Sequence, residues 1–147
     1  MVVIRSDLMW VKWNPNPTGL DKDDCIIRAI CLLEGKSWDQ VYKELTDYGF
    51  AVKNMPSVNS VWHGYLKQLG YTRQIIPNMC PDCYTLKEFC NDFPYGDYIV
   101  AIENDHVVAV ILGDYYDSWD SGDRIPTYYW TRRKNNGNDQ WTGYFKQ

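Results

Sequence analysis

The chain is short of positive charge, of long apolar runs and of histidine, and each shortage removes a class of function. Lys and Arg number 15 against 19 Asp and Glu in 147 residues, a net charge of −4. A protein that grips nucleic acid by its phosphates needs a basic surplus on one face. The only basic run here is Arg132-Arg133-Lys134, so no nucleic-acid partner is expected. No stretch approaches the roughly 20 apolar residues of a membrane span, and no membrane partner is expected either. The opening MVVIRSDLMWVKW has no basic start, no continuous apolar middle and no small-residue cleavage site. A cytoplasmic, reducing address is the expectation. Five cysteines, an odd number, fit free thiols better than a closed disulfide framework. No internal repeat or linker interrupts the chain, so residues 1–147 read as one domain.

What the chain has in excess is aromatic side chains. Seven Trp and twelve Tyr exceed the needs of a core this size, so some are expected to line a groove while most pack. Residues 2–13 alternate like a strand, and Asn14-Pro15-Asn16-Pro17-Thr18-Gly19 must turn. Asp23 or Asp24 then caps an apolar helix that Gly35 stops. A second helix opens on the capping box Ser37/Gln40 and ends near Gly49, and a third covers Val58 to Leu69. Tyr71 to Ile76 reads as a strand, and a second capping box, Thr85/Glu88, starts a short helix. From Asp97 the period changes to two. Asp97–Glu103, His106–Leu112 and Tyr115–Asp120 form an antiparallel meander through turns at Asn104-Asp105 and Gly113-Asp114. Pro126–Arg132 adds a strand, and Trp141–Phe145 a final edge strand after the turn 135–138. Helices first and antiparallel strands after make an α+β fold, with the first helix packed on the sheet.

Two stretches carry chemistry. Cys25 heads the first helix in DDCIIRAICLL, where the helix N-terminus favours a thiolate and offers free N–H groups to an oxyanion. His106 opens a strand in DHVVAVILGDYYDSWD and can take and return the thiol proton. The other histidine, His63, sits beside Trp62 in mid-helix and reads as packing. With a two-residue turn at Gly113-Asp114, Leu112 faces Tyr115, Val110 faces Asp117 and Val108 faces Trp119, all on the His106 face. Asp117 is therefore the first choice to orient the imidazole, and Trp119 its shield. A change of loop length by one residue brings Asp120 across instead, the alternative. Asp114, Asp117, Asp120 and Asp123 also form a cluster, but it lacks the invariant glycine and closing glutamate of a calcium loop. Cys80, Cys83 and Cys90 fall short of the four ligands of structural zinc unless His63 joins them. No metal and no cofactor is expected, and these thiols read as free.

A cysteine-headed helix followed by a sheet carrying His106 and then Asp117-Ser118-Trp119 resembles the papain-like cysteine peptidase fold. The Asp-Ser-Trp resembles the Asn-Ser-Trp of papain, with Asp in the orienting place. The pattern also resembles small papain-like proteins of bacteriophages and Gram-positive bacteria. In those, an Asp-Cys-(apolar)-Arg-Ala-Ile helix precedes a His-Val-Val-Ala-Val…Asp-x-Trp-Asp-Ser-Gly-Asp segment. The match covers residues 14–50 and 97–125. It departs where Cys25 is flanked by Asp24 and Ile26, so that Asp23 and Asp24 must cap the helix or pair elsewhere, with Arg28 one option. It also departs where the oxyanion glutamine of the family is replaced by Gly19. The resemblance then implies that Asn14 or Asn16, preferably Asn16, supplies that amide. It implies a cysteine peptidase or amidase working through an acyl-enzyme on a peptide or protein substrate. The alternative is a catalytically silent protein-binding module on the same scaffold.

Overall fold

The computed structural model describes residues 9–21, 23–76 and 83–132. Residues 2–8 of the expected first strand, Cys80-Pro81-Asp82, Arg133-Lys134, the 135–138 turn and the Trp141–Phe145 strand lie outside them. The described residues form an α+β arrangement of four helices and a six-stranded mixed sheet. In chain order these are β1 (Trp10–Lys12), α1 (Cys25–Glu34), α2 (Trp38–Val52), α3 (Asn59–Gln68), β2 (Thr72–Ile75), α4 (Leu86–Asp92), β3 (Asp97–Ile102), β4 (His106–Ile111), β5 (Asp114–Asp117) and β6 (Pro126–Thr131). No helix among the described residues is long and apolar enough to cross a membrane.

The sheet runs β1-β5-β4-β3-β6-β2. Its pairings are antiparallel except at one edge, where β1 lies parallel to β5 with Trp10 opposite Tyr115. That corrects the expected all-antiparallel sheet. Parallel pairing needs a long crossover between the two strands, and here everything from the Asn14 loop to β4 lies between them. Alternation along β3 and β4 splits the core into two layers. Ile99, Val107 and Ala109 meet α1, with Ile30, Leu45, Leu66 and Trp130 in the same cluster. Tyr98, Val100, Val108 and Val110 face the other way, onto Leu86 and Phe89 of α4. The sheet is therefore buried on both faces, and a polar side chain on β4 or β5 must find a partner.

Three local expectations shift by a residue or more. Gly49 does not stop α2, which runs on to Val52 and closes with Lys53 in the left-handed region. Gly49 is instead a close-approach position: a Cβ there would lie 2.8 Å from the Asn54 carbonyl oxygen. The β4–β5 turn is Leu112-Gly113, both at positive φ (51° and 80°), so Val110 rather than Leu112 pairs with Tyr115. The slip along β4 is two residues, an even number, and it leaves Asp117 on the His106 face. The β3–β4 connection holds three residues, since Ile102 already pairs with His106 and Glu103 takes φ 51°.

Candidate active site

Cys25 is the first residue of α1 and is half-buried. Asp24 is the N-cap residue, but its side chain makes no capping hydrogen bond. Its carboxylate turns inward, accepting from Arg28 at close range, from Trp38 Nε1 at 3.0 Å and from Asn16 Nδ2 at 3.3 Å. The acid next to the cysteine is thus spoken for by a buried cation. The first-turn N–H groups of α1 carry no capping side chain over them.

His106 begins β4, and its Nε2 lies 2.6 Å from Asp117 Oδ2. The Cys25 side chain lies close enough to the same ring to favour its protonated form, and both residues line the same two clefts. With Nε2 committed to the carboxylate, Nδ1 is the nitrogen left for a second partner. Burial works against the imidazolium. Hydrogen bonds to Asp117 and Cys25, with their negative charge, outweigh it and raise His106 to about 9. Trp119 lies over the imidazole, ring centroids 4.9 Å apart and tilted by 34°.

Asp117 ends β5 and is 1% exposed. Its Oδ2 also accepts from Ser121 Oγ at 2.6 Å, and Oδ1 accepts from the Ser118 N–H at 2.8 Å and from Arg28 Nη2 at 3.3 Å. Its backbone carbonyl accepts from Trp10 Nε1 and the Trp13 N–H, which ties β1 to the site. A closed circuit results. Asp24 holds Arg28, Arg28 holds Asp117, Asp117 holds His106, His106 meets Cys25, and Cys25 follows Asp24 in the chain. A buried guanidinium with two carboxylates is stable only when every member is paired, so the circuit fixes the helix against the sheet at the spot where sulfur and imidazole meet.

The structure therefore brings Cys25, His106 and Asp117 together. Asp120 stands elsewhere: it accepts from Tyr115 Oη at close range and from the Gly122 N–H at 3.1 Å. Asp123 is 3.3 Å from Lys87, so the aspartates of that cluster serve separate partners. Asn16 is turned to Asp24, and its Oδ1 accepts from Thr18; Asn14 donates to the Gly19 and Leu20 carbonyls. Neither amide borders the cleft at Cys25. Cys83 is in a disulfide, which corrects its reading as a free thiol. Among the described residues no group of three or more His, Cys, Asp or Glu is placed to hold a metal ion.

Sequence reasoning left Arg28 as one option for pairing the aspartates and missed Ser121. A signal for Arg28 was present: one cation inside an otherwise apolar helix, four residues after an aspartate, demands a buried anion. Ser121 carried none. Two clefts flank Cys25 and His106, one of about 630 Å³ reaching Trp62 and Tyr128, the other of about 250 Å³ bounded by Trp119 and Arg124. No protein-family model matches the chain, and no curated protein and no solved structure matches it either.

Proposed function

We propose that the protein is a cysteine hydrolase of papain-like type, a peptidase or amidase that works through an acyl-enzyme. The observation that carries this reading is the chain Cys25–His106–Asp117. It consists of a thiol at a helix N-terminus, an imidazole against it, and a buried carboxylate 2.6 Å from the far ring nitrogen. A raised imidazolium beside the sulfur is an acid ready for the leaving group, and it supplies the counter-charge that a nucleophilic sulfur needs.

In this mechanism the sulfur attacks an acyl carbon and the carbonyl electrons move onto oxygen. First-turn N–H groups of α1 stabilise that oxyanion. His106 Nδ1–H then protonates the leaving amine as the C–N bond breaks, giving a thioester on Cys25. Water next attacks the thioester as neutral His106 takes its proton. The returning electrons expel the thiolate, and the acid product leaves. Asp117 accepts from Nε2–H throughout, and that bond fixes the tautomer that presents Nδ1 to sulfur.

The test is Cys25 alkylation by iodoacetamide as a function of pH, followed by peptide mass spectrometry. Rapid labelling already near pH 6, slowed about a hundredfold in His106→Ala, is the expected result. Labelling that matches the unfolded chain, with or without His106, would sink the reading and leave a binding module on this scaffold.

A further inference from the structure

The larger cleft opens at Cys25 and His106 and continues to Trp62 and Tyr128. Its volume of about 630 Å³ lies within the range that holds a bound side chain or small ligand. Ile26, Ala101 and Val107 give it apolar walls, whereas Asp23, Glu103 and Asp105 are exposed and line both this cleft and the smaller one. No lysine or arginine lines the larger cleft among the described residues. Glu103 is held by Arg124 at 2.8 Å, and that guanidinium sits 5.4 Å over the Trp119 ring, on the smaller side. Asp23 and Asp105 form no ion pair among the described residues. These acids are not a cation site by themselves, since no group placed to hold a metal exists among the described residues. What they share is the space a substrate must cross to reach the sulfur.

We propose that this cleft is a specificity site for a long basic side chain, of lysine or arginine type, next to the acyl group that Cys25 attacks. The inference rests on the hydrolase reading above. A basic side chain is amphipathic along its length, with an aliphatic stem and a charged tip. The stem lies against Ile26, Ala101 and Val107, and the tip reaches the exposed carboxylates of the same lining. An acidic side chain in the same place meets like charge, and a short polar one leaves the apolar walls uncovered. Specificity of this kind comes from the repelled competitor as much as from the favoured guest.

Three chloroacetyl amino-acid amides test it, built on lysine, norleucine and glutamate, with iodoacetamide as the reference electrophile. In each labelling the Cys25 sulfur displaces halide and forms a thioether, so the rate reads how well the attached side chain seats beside the cysteine. The lysine probe is expected to label about fivefold faster than norleucine, and glutamate slower than norleucine by a similar factor. Raising salt shrinks both differences. In Asp23→Asn/Asp105→Asn the lysine-to-norleucine ratio is expected to fall close to one. Equal rates for the three probes, in a protein that iodoacetamide labels rapidly, overturn the specificity site and leave the hydrolase reading standing. A lysine preference that survives both the double substitution and high salt overturns the role of these carboxylates. Iodoacetamide labelling as slow as in unfolded protein overturns the hydrolase reading, and this inference with it.

Discussion

His63 and His106 are both partly buried imidazoles packed against a tryptophan, yet their surroundings drive them in opposite directions. His63 lies against Trp62, Tyr128 and Trp130, and its Nε2 pairs with Tyr128 Oη at 2.7 Å. Burial lowers it, the Arg73 and Lys67 charges add to that, and it falls to about 4. His106 suffers the same burial penalty and is nonetheless raised to about 9, because its two partners are a carboxylate and a thiol. Desolvation has one sign for every imidazole, so the partners decide which ring carries a proton at neutral pH. One ring is structural and neutral. The other is a cation at neutral pH with a free thiol beside it.

The comparison breaks most completely if the support behind Asp117 is removed. Arg28 is 4% exposed and bridges Asp24 and Asp117. Arg28→Met would leave two buried carboxylates without their shared cation, a change that costs about 3 to 5 kcal/mol. For a chain of this size that is a fall of roughly 10 °C in melting temperature, readable by circular dichroism. A melting point unchanged within two or three degrees, on the order of 1 kcal/mol, would mean the circuit contributes no stability.

Asp117→Asn sharpens the comparison instead, because it should turn His106 into a second His63. The acceptor charge disappears while burial stays, so the imidazole titration moves down from about 9. Alkylation of Cys25 at pH 7 is expected to slow about tenfold, since the ring loses the charge that favours its protonated form while the amide oxygen can still accept from Nε2–H. Asp120→Asn is the control, because Asp120 holds Tyr115 and the Gly122 N–H rather than His106. An NMR titration of the ring protons reads both variants. An Asp120→Asn protein that loses the His106 shift while Asp117→Asn keeps it would reverse the assignment.

Much of this site was legible in the sequence because periodicity two carries parity. His106 and Asp117 fall on one face whether the β4–β5 turn is Gly113-Asp114 or, as found, Leu112-Gly113, since only an odd slip exchanges faces. The turn itself was misplaced because a leucine at φ 51° is costly, and local propensity places Gly-Asp in the turn before Leu-Gly. Helix starts at Ser37 and Thr85 were legible because their caps are local: each side chain accepts from the N–H three residues on. Helix α1 starts where expected for a different reason, since Asp24 spends its carboxylate on Arg28 and Trp38. The parallel pairing of β1 with β5 and the hydrogen bond from Ser121 had no local signature. Both depend on chain segments that meet only once the core has formed.

The smallest expected effect concerns the other histidine and follows from the sign of its shift. The folded chain holds His63 at about 4, below the ordinary imidazole value of about 6.5. Between those values the unfolded chain binds a proton that the folded one refuses, so His63 costs stability as pH falls from 6.5 toward 4. His106 does the reverse: its folded value of about 9 adds stability that is complete below about 6.5 and is lost as pH rises toward 9. His63→Gln should therefore flatten the acid side of the stability–pH curve and leave the alkaline side unchanged. Because Gln can still donate to Tyr128 Oη, its cost at pH 7 should stay near about 1 kcal/mol. Urea midpoints at pH 5, 7 and 9 separate the two histidines, and a loss at pH 5 and 7 that disappears by pH 9 would show that they had been assigned the wrong way round.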